Sequence, residues 1–427
     1  MTSKDFNRGY ENRQRIGETT LIVGLDIGCE FNMMCMMNAK GKVLGEHKIF
    51  NSRKGFEFFK KMIDMTVKKE GLWDVLIGFE PTGTYWRKII FYAKELGCEV
   101  RFVRTTALKH QRELDESAPL KTDKRDAYTI ANITREGKYL DSEVEDGVYR
   151  ELRSLVNLRE SIVRENTRSK NAVRTIIVDF FPELLNFFSK MSGKGLLLIL
   201  ETCPFPADIL SYGEERLSKL IAESSRNKKL GVAKARKIFE AAKESIGLKN
   251  VGSSDRMRLA MCLRKLKQSE VDLQEIESGM INLTAQMPQA ESIHSIPGAG
   301  MASTGIILGE FGDLDNFGSA KQAIKYAGYD PTGKESGKHI GRRRISKKGR
   351  WRLRKTLYLM SMRVVRAIPE FREYYERKLE GAGGSGRKLA RKEALCAVAI
   401  KLIKLIFALA RDRRRYEEKE KHVSLAA

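Results

Sequence analysis

Thr20–Ile27, TLIVGLDI, is an apolar, partly β-branched run of the kind that forms a strand buried on both faces, yet it carries Asp26 near its end. A carboxylate there is costly unless it is hydrogen-bonded, paired or bound to metal. Working outward, residues 31–38, an Ala-Lys-Gly-Lys turn and residues 43–50 predict a hairpin that extends the sheet, with Gly28 letting the chain turn beside Asp26. Apolar residues at 56, 59, 62, 63 and 67 have helical spacing, and Gly71 ends that helix. Residues 74–79, DVLIGF, are a second buried strand with Glu80 at its C-terminal end, the edge at which open α/β sheets bind ligands. Pro81, Thr82 and Gly83 turn the chain into a helix over 84–96, and 99–103 is a third strand. Alternating strands and helices make this an α/β domain.

From Thr122, a predicted N-cap, small and apolar residues recur helically in KTDKRDAYTIANIT, so Asp123 and Asp126 lie at i and i+3 on one face. Singly, each acid reads as a solvated charge or a first-turn acid that complements the helix dipole. Together, Asp26, Glu80, Asp123 and Asp126 can converge at one sheet edge as a carboxylate site for Mg²⁺ or Mn²⁺. Two such ions can activate one oxygen and stabilise the leaving one in a phosphoryl displacement. Gly24 to Gly28 also has the form of an ATPase phosphate loop, but no second Gly-rich phosphate loop and no Walker A motif accompany it.

The chain has 427 residues, enough for two or three domains, and a formal net charge of +24. The charge is clustered, which argues for a polyanion, nucleic acid ahead of a membrane surface. Residues 326–355 read YAGYDPTGKESGKHIGRRRISKKGRWRLRK, where ten Lys or Arg follow Ser336 with no acid among them. Such a run is a phosphate track, with Lys338, Arg342, Arg343, Arg344, Lys347, Lys348 and Arg350 as contacts. A serine held in it could attack a phosphate, but only with activating neighbours. Ser346 is a second serine in the track and reads as an N-cap for a helix from 347. The six cysteines form no Cys-x-x-Cys pair, so neither a zinc site nor a disulfide framework is expected, and a reduced cytosol fits. No apolar stretch is long enough to span a bilayer, and the polar residues 1–19 read as a disordered lead-in.

From residue 148 the pattern becomes helical. Leu152, Leu155, Ile162, Val173, Ile176 and Phe180 keep a near-heptad spacing interrupted by Arg159, Asn166 and Ser169, and Pro182 ends the region. A second long helix runs through Leu259, Cys262, Leu266, Leu273, Ile276, Met280 and Leu283, broken only by Ser269. An antiparallel coiled-coil hairpin, a dimer seam, or ordinary core helices all fit this spacing. Residues 190–251 between them are mainly helical and carry no recognisable chemistry. Ile296, Pro297, Gly298, Ala299 and Gly300, followed by an apolar helix over 302–308, have a helix-hairpin-helix form whose glycines let amides approach DNA phosphates. His294 beside it reads as structural. A Gly-rich linker at 381–386 and an amphipathic helix over 388–410, suited to packing on its own body or on a second protomer, close the chain.

With VGLDIG at 23–28, GFEPTGTYW at 78–86, KTDKRDA at 121–127 and the run from IPGAG to GRWRLR, the chain resembles the transposases, or RNA-guided recombinases, of the IS110 family of insertion sequences over about residues 20–145 and 290–365. The resemblance implies an α/β RNase H-like (RuvC-like) domain at 20–147 with Asp26, Glu80, Asp123 and Asp126 as its metal-binding tetrad. It implies a helical coiled-coil connector at 148–290 and a mainly α-helical serine transposase domain at 291–380, followed by a linker and C-terminal helix at 381–427. Ser336 corresponds best to the nucleophile; the contacts of Gly298 and Gly300 with nucleic acid rest on the helix-hairpin-helix form of 296–308 alone. The resemblance further implies Mg²⁺, DNA ends and target as substrates, a noncoding guide RNA, dimers pairing into a tetramer, and a prokaryotic cytoplasmic, nucleoid-associated location. The competing readings are a RuvC-like metal-dependent nuclease or resolvase that uses water, and a noncatalytic nucleic-acid-binding regulator.

Overall fold

A computed structural model describes residues 11–81, 83–114, 122–139, 147–224, 228–332, 335–336, 339–340, 344–381 and 388–417. They fall into two compact units, 1–145 and 146–427. The first is a mixed α/β sheet with flanking helices, and the second is mainly helical.

In the first unit five strands, β1 (Thr20–Ile27), β2 (Phe31–Met37), β3 (Val43–Phe50), β4 (Asp74–Phe79) and β5 (Glu99–Phe102), lie in the order β3-β2-β1-β4-β5. β1 to β3 are antiparallel neighbours, whereas β4 runs parallel to β1 and β5 parallel to β4. Because side chains alternate along a strand, β1 feeds two cores. Leu21, Val23 and Leu25 pack with Phe59 and Ile63 of α1 (Arg53–Glu70) and Ile89 and Ile90 of α2 (Trp86–Glu95). Ile22 on the other face packs with Met33, Cys35, Ala127 and Ala131, the alanines belonging to α4 (Asp123–Arg135). α3 (Thr105–Leu114) adds Leu108 beside Ile130 and Ile133 of α4. The longest helix of this unit, α1, starts and ends as its sequence dictates. Ser52 Oγ accepts the Gly55 amide at the start of α1, and Gly71 closes it in the left-handed region at φ 63°. The expected lead-in is ordered in its second part: residues 11–14 are helical, and buried Asn12 donates from Nδ2 to the Gly137 carbonyl at 3.2 Å. Residues 1–10 lie outside the described residues.

The second unit is built on α5 (Gly147–Phe180) and α10 (Ser253–Ala285), antiparallel partners over their length. The polar positions that interrupt their apolar spacing meet each other: Asn166 Nδ2 donates to Ser269 Oγ at 2.7 Å in the buried seam, and Arg159 pairs with Glu277. At one end α6 (Lys194–Thr202), α7 (Pro206–Tyr212), α8 (Glu214–Ser224) and α9 (Lys228–Lys243) form a cap whose core includes Ile199, Phe205, Ile209, Leu217 and Ile238. No single helix among the described residues is long and apolar enough to cross a membrane, and the bent apolar pair α6 and α7 belongs to this core. Burial pushes Glu183 beneath the cap up, but hydrogen bonds from the Ile246 amide (3.0 Å) and Ser245 Oγ (2.8 Å) outweigh it and hold its carboxyl below the ordinary value.

At the other end α11 (Ala290–His294), α12 (Met301–Phe311), α13 (Ala320–Tyr326), α14 (Trp351–Ala367), α15 (Pro369–Glu380) and α16 (Arg391–Asp412) surround a core that includes Met280, Leu308, Tyr329, Leu357, Met360 and Leu402. The final helix therefore packs on its own body, through Val398, Leu402 and Ile406. Residues 382–387, the expected linker, and 418–427 lie outside the described residues. The helix expected from residue 347 begins at Trp351, and Ser346 is not its cap. The Ser346 amide donates to Asp330 O (2.8 Å) and the Lys347 amide to Gly328 O (3.1 Å), with Lys347 at φ 53°, so pairing with the preceding segment delays the helix.

Candidate active site

The carboxylates of the first unit take their positions from the β1–β4 register. Leu25 pairs with Phe79 in the parallel ladder, which brings the next residues, Asp26 and Glu80, side by side at the carboxyl ends of adjacent strands. Alternation puts Asp26 on the face of Gly24 and Ile22, and Glu80 on the face of Gly78. α4 packs against that face. A Cβ on Gly24 would strike the Ala127 carbonyl oxygen and the Ala131 amide of α4, and one on Gly78 would strike Thr134 Oγ1. The two glycines are thus required by the close approach of α4, which carries Asp126 immediately before Ala127. Asp126 is 3% exposed and Glu80 8%, while Asp26 is half-buried. Asp123 lies one turn before Ala127 on the same side of the helix, at its exposed end. Thr122 Oγ1 caps that end by accepting the Arg125 amide at 3.4 Å.

The loop after β1 is fixed by two asparagines that the sequence reading did not single out. Fully buried Asn32 accepts the Gly28 amide on Oδ1 (3.3 Å) and donates to Asn51 Oδ1 (2.7 Å), and Asn51 donates to the Gly28 and Cys29 carbonyls at 3.0 and 2.7 Å. These bonds hold the chain immediately beyond Asp26. Tyr85, past the end of β4, contacts the Cys29 thiol, and that hydrogen bond pushes its phenol up.

An all-carboxylate donor set suits a hard divalent cation such as Mg²⁺ or Mn²⁺. Among the described residues no group of three or more Asp, Glu, His or Cys side chains gathers closely enough to hold an ion. The fit therefore lies in donor chemistry and in the shared sheet face of Asp26, Glu80 and Asp126, and not in a preformed cage.

In the second unit, Ser336 closes β7 (Glu335–Ser336), which pairs antiparallel with β8 (His339–Ile340), Ser336 opposite His339. β6 (Pro331–Thr332) pairs antiparallel with β9 (Arg344–Ile345). Lys338, Arg342 and Arg343 lie outside the described residues. Arg344, Lys347 and Lys348 are exposed. Arg350 is engaged within the fold: Nε donates to Tyr326 Oη at 2.6 Å, and a guanidinium nitrogen lies 3.6 Å from Glu310, which is 1% exposed. Arg352 is the second cation on Glu310, at 3.5 Å. Gly298 takes φ 96° and lies against α14, where a Cβ would sit 3.1 Å from that of Arg363, whereas Gly300 is the open N-cap of α12. His294 is satisfied locally, with Nδ1 3.0 Å from the Ala299 carbonyl oxygen.

Two family models match the chain. One, a transposase model of the IS110 DEDD type, covers residues 23–182, and the other, described as transposase of the IS116/IS110/IS902 family, covers residues 290–376. An IS110 insertion element protein of Streptomyces coelicolor is 24% identical over 405 residues, 93% of this chain and 96% of its own length. An IS116 element protein of Streptomyces clavuligerus is 25% identical over 307 residues, covering 69% of this chain and 72% of its own. An IS900 element protein of Mycobacterium paratuberculosis is 25% identical over 304 residues, with 69% and 73% covered. Matches at both ends, in the same order and from end to end of a relative, show that the chain belongs to the IS110 family of insertion-element transposases.

Proposed function

We propose that this transposase cuts and rejoins DNA strands through Ser336, assisted by a divalent cation held by Asp26, Glu80, Asp123 and Asp126. The observation that carries the reading is the in-register placement of Asp26 and Glu80 at the ends of parallel strands, beneath the helix of Asp126. A strand order of β3-β2-β1-β4-β5 with Asp26 on the central strand supports an RNase H-like, RuvC-like fold. The bound cation, Mg²⁺ or Mn²⁺, would neutralise charge on the transferring phosphoryl group and lower the cost of ionising a hydroxyl. In the proposed step Ser336 Oγ forms a bond to phosphorus and loses its proton. The phosphodiester bond to the departing strand breaks, and that strand's oxygen takes up a proton as a free hydroxyl. The phosphoserine ester conserves the bond energy, so a second strand's hydroxyl can reverse the step and rejoin DNA. The exposed Arg344, Lys347 and Lys348, with the other basic residues of the run, would hold the DNA backbone. A guide RNA and assembly as dimers within a tetramer belong to the same proposal.

The test is incubation of DNA bearing element ends with wild-type protein and Ser336→Ala, followed by a denaturing gel. Protein-linked DNA is expected with wild type and absent with Ser336→Ala. An adduct that persists in Ser336→Ala but disappears in Ser346→Ala would move the nucleophile to Ser346. Cleavage without any adduct would make the enzyme a water-using nuclease.

A further inference from the structure

A cavity of about 450 Å³ opens between α5, α12 and α14 of the second unit. Arg159 of α5 and Arg352, Lys355, Arg363 and Arg366 of α14 line it, against Glu160 as the lone acid in the lining. The α14 cations fall at a 3, 4, 4, 3 rhythm through Leu359, so one stripe of the helix presents them all. Three are partly neutralised: Arg159 by Glu277 (2.6 Å), Lys355 by Glu160 (3.3 Å) and Arg352 by Glu310 (3.5 Å). Arg363 donates only to Ser303 Oγ (2.8 Å), and neither it nor Arg366 has a carboxylate partner among the described residues. Arg352 Nε is buried with no hydrogen-bond partner. Ala302 and Ser303 of the first turn of α12 complete the wall, beyond an N-cap, Gly300, that contributes no side-chain bond. Unneutralised guanidinium groups lining one cavity beside the first turn of a helix are a receptor for an anion.

One turn along α14 from Lys355, Trp351 is 39% exposed, with the Arg164 guanidinium 4.9 Å, Arg352 5.0 Å and Lys355 5.9 Å from its ring centroid. An exposed indole ringed by cations, two of which, Arg352 and Lys355, also line the cavity, has with that cavity the two parts of a single-strand track, a stacking platform and a phosphate seat. The stacked bases of a duplex offer no free face to Trp351. We propose that this cavity binds a phosphate of an unpaired nucleic-acid strand while an adjacent base stacks on Trp351. The proposal rests on the reading of the chain as a nucleic-acid-processing enzyme, but not on the serine chemistry. The shared chemistry is phosphodiester plus base, and a DNA and an RNA probe separate the two sources.

The experiment measures anisotropy of labelled oligothymidylate, oligouridylate and a duplex of equal length with the full chain over a salt series. The wild type is expected to prefer a single strand. Arg363→Gln with Arg366→Gln should weaken that binding about tenfold or more and reduce the slope of log affinity against log salt by about 1.4. Trp351→Ala should weaken it about tenfold at unchanged slope, and Trp351→Phe should restore most of the loss. Arg366→Gln alone, at an exposed position, guards against misfolding of the double variant. Wild-type affinity of all variants for both single strands overturns the track, as does a preference for duplex that Trp351→Ala does not alter. The wild type should bind single strands independently of adduct formation. If it does so while adduct formation fails in every protein, the serine chemistry falls and the track stands. Undiminished adduct with unaffected single-strand binding in the track variants removes the track alone.

Discussion

Gly24 of β1 lies opposite Gly78 of β4 in the parallel register, and α4 packs directly over both. A Cβ at Gly24 would also sit 2.8 Å from that of Ala131. Since the obstructing atoms are helix backbone, the helix itself would have to move. Gly24→Ala is expected to destabilise the protein by about 1–3 kcal/mol and to displace Asp126 relative to Asp26. Gly17→Ala, whose Cβ meets nothing nearer than Thr19 Oγ1 at 3.6 Å, is the control. Urea unfolding checks stability, and adduct formation on DNA ends checks the site. Equal stability of the two variants would show that α4 does not depend on this close approach.

Much of that arrangement was legible in residue order. The apolar runs at 20–27 and 74–79 coincide with β1 and β4, because buried strands leave a pattern within a few residues of chain, and the hairpin arm expected at 43–50 coincides with β3. Gly71, Thr122 and Pro182 mark helix boundaries for equally local reasons. What depends on distant partners was not legible. The glycines at 24 and 78 are visible as glycines, but not as the seat of a helix a hundred residues on. Asn32 and Asn51 bond across 19 residues, and Lys355 reaches Glu160 across 195. Glu310 lies in an apolar helix whose sequence gives no sign that Arg350 and Arg352 will cover its charge. Start of α14 at 351, against the expectation of 347, has the same origin: hydrogen bonds to residues 326–330 override a local capping signal.

The Asn166–Ser269 hydrogen bond tests why polar residues interrupt the α5–α10 seam. Removing one partner strands the other, so Asn166→Ala is expected to cost about 1–3 kcal/mol, moderated because Ser269 Oγ also donates to the Leu266 carbonyl at 2.9 Å. Replacing both, Asn166→Leu with Ser269→Ala, should recover stability while relaxing the register that the pair fixes. Urea unfolding and light scattering read the two effects. A double variant as unstable as Asn166→Ala would mean that packing volume, and not the polar pair, governs this part of the seam.

Burial pushes the Cys35 thiol up to about 12, with Glu46 adding to it, and burial with Asp208 raises Cys203 to about 11, both from an ordinary 9.0. The unfolded chain releases these protons first as pH rises. The stability these thiols contribute is therefore whole below pH 9.0 and declines above it, by about 1.4 kcal/mol per pH unit per group, until the folded thiol itself ionises. Urea midpoints measured between about pH 8 and 11 should fall, and Cys35→Ala should lose one group's share of that slope despite its own packing cost. A midpoint independent of pH across this window would show that the thiols are not protected.

Like charges on one sheet face give the carboxylate site a signature separate from catalysis. Asp26, Glu80 and Asp126 are brought to the same face of β1 and β4, with two of them buried, so a cation that binds them favours the folded state alone. Mn²⁺ or Mg²⁺ in hundredfold excess over its dissociation constant should stabilise the wild type by about 2.7 kcal/mol, read as a rise in melting temperature. Asp26→Asn and Asp126→Asn remove a charged oxygen ligand at nearly constant volume, so each should abolish most of that rise while still melting cooperatively in its absence. Glu70→Gln, an exposed acid at the end of α1, should respond to the cation as wild type does. Equal cation-induced shifts in all four proteins would place the ion elsewhere and remove these carboxylates from the proposed chemistry, whatever the fate of Ser336.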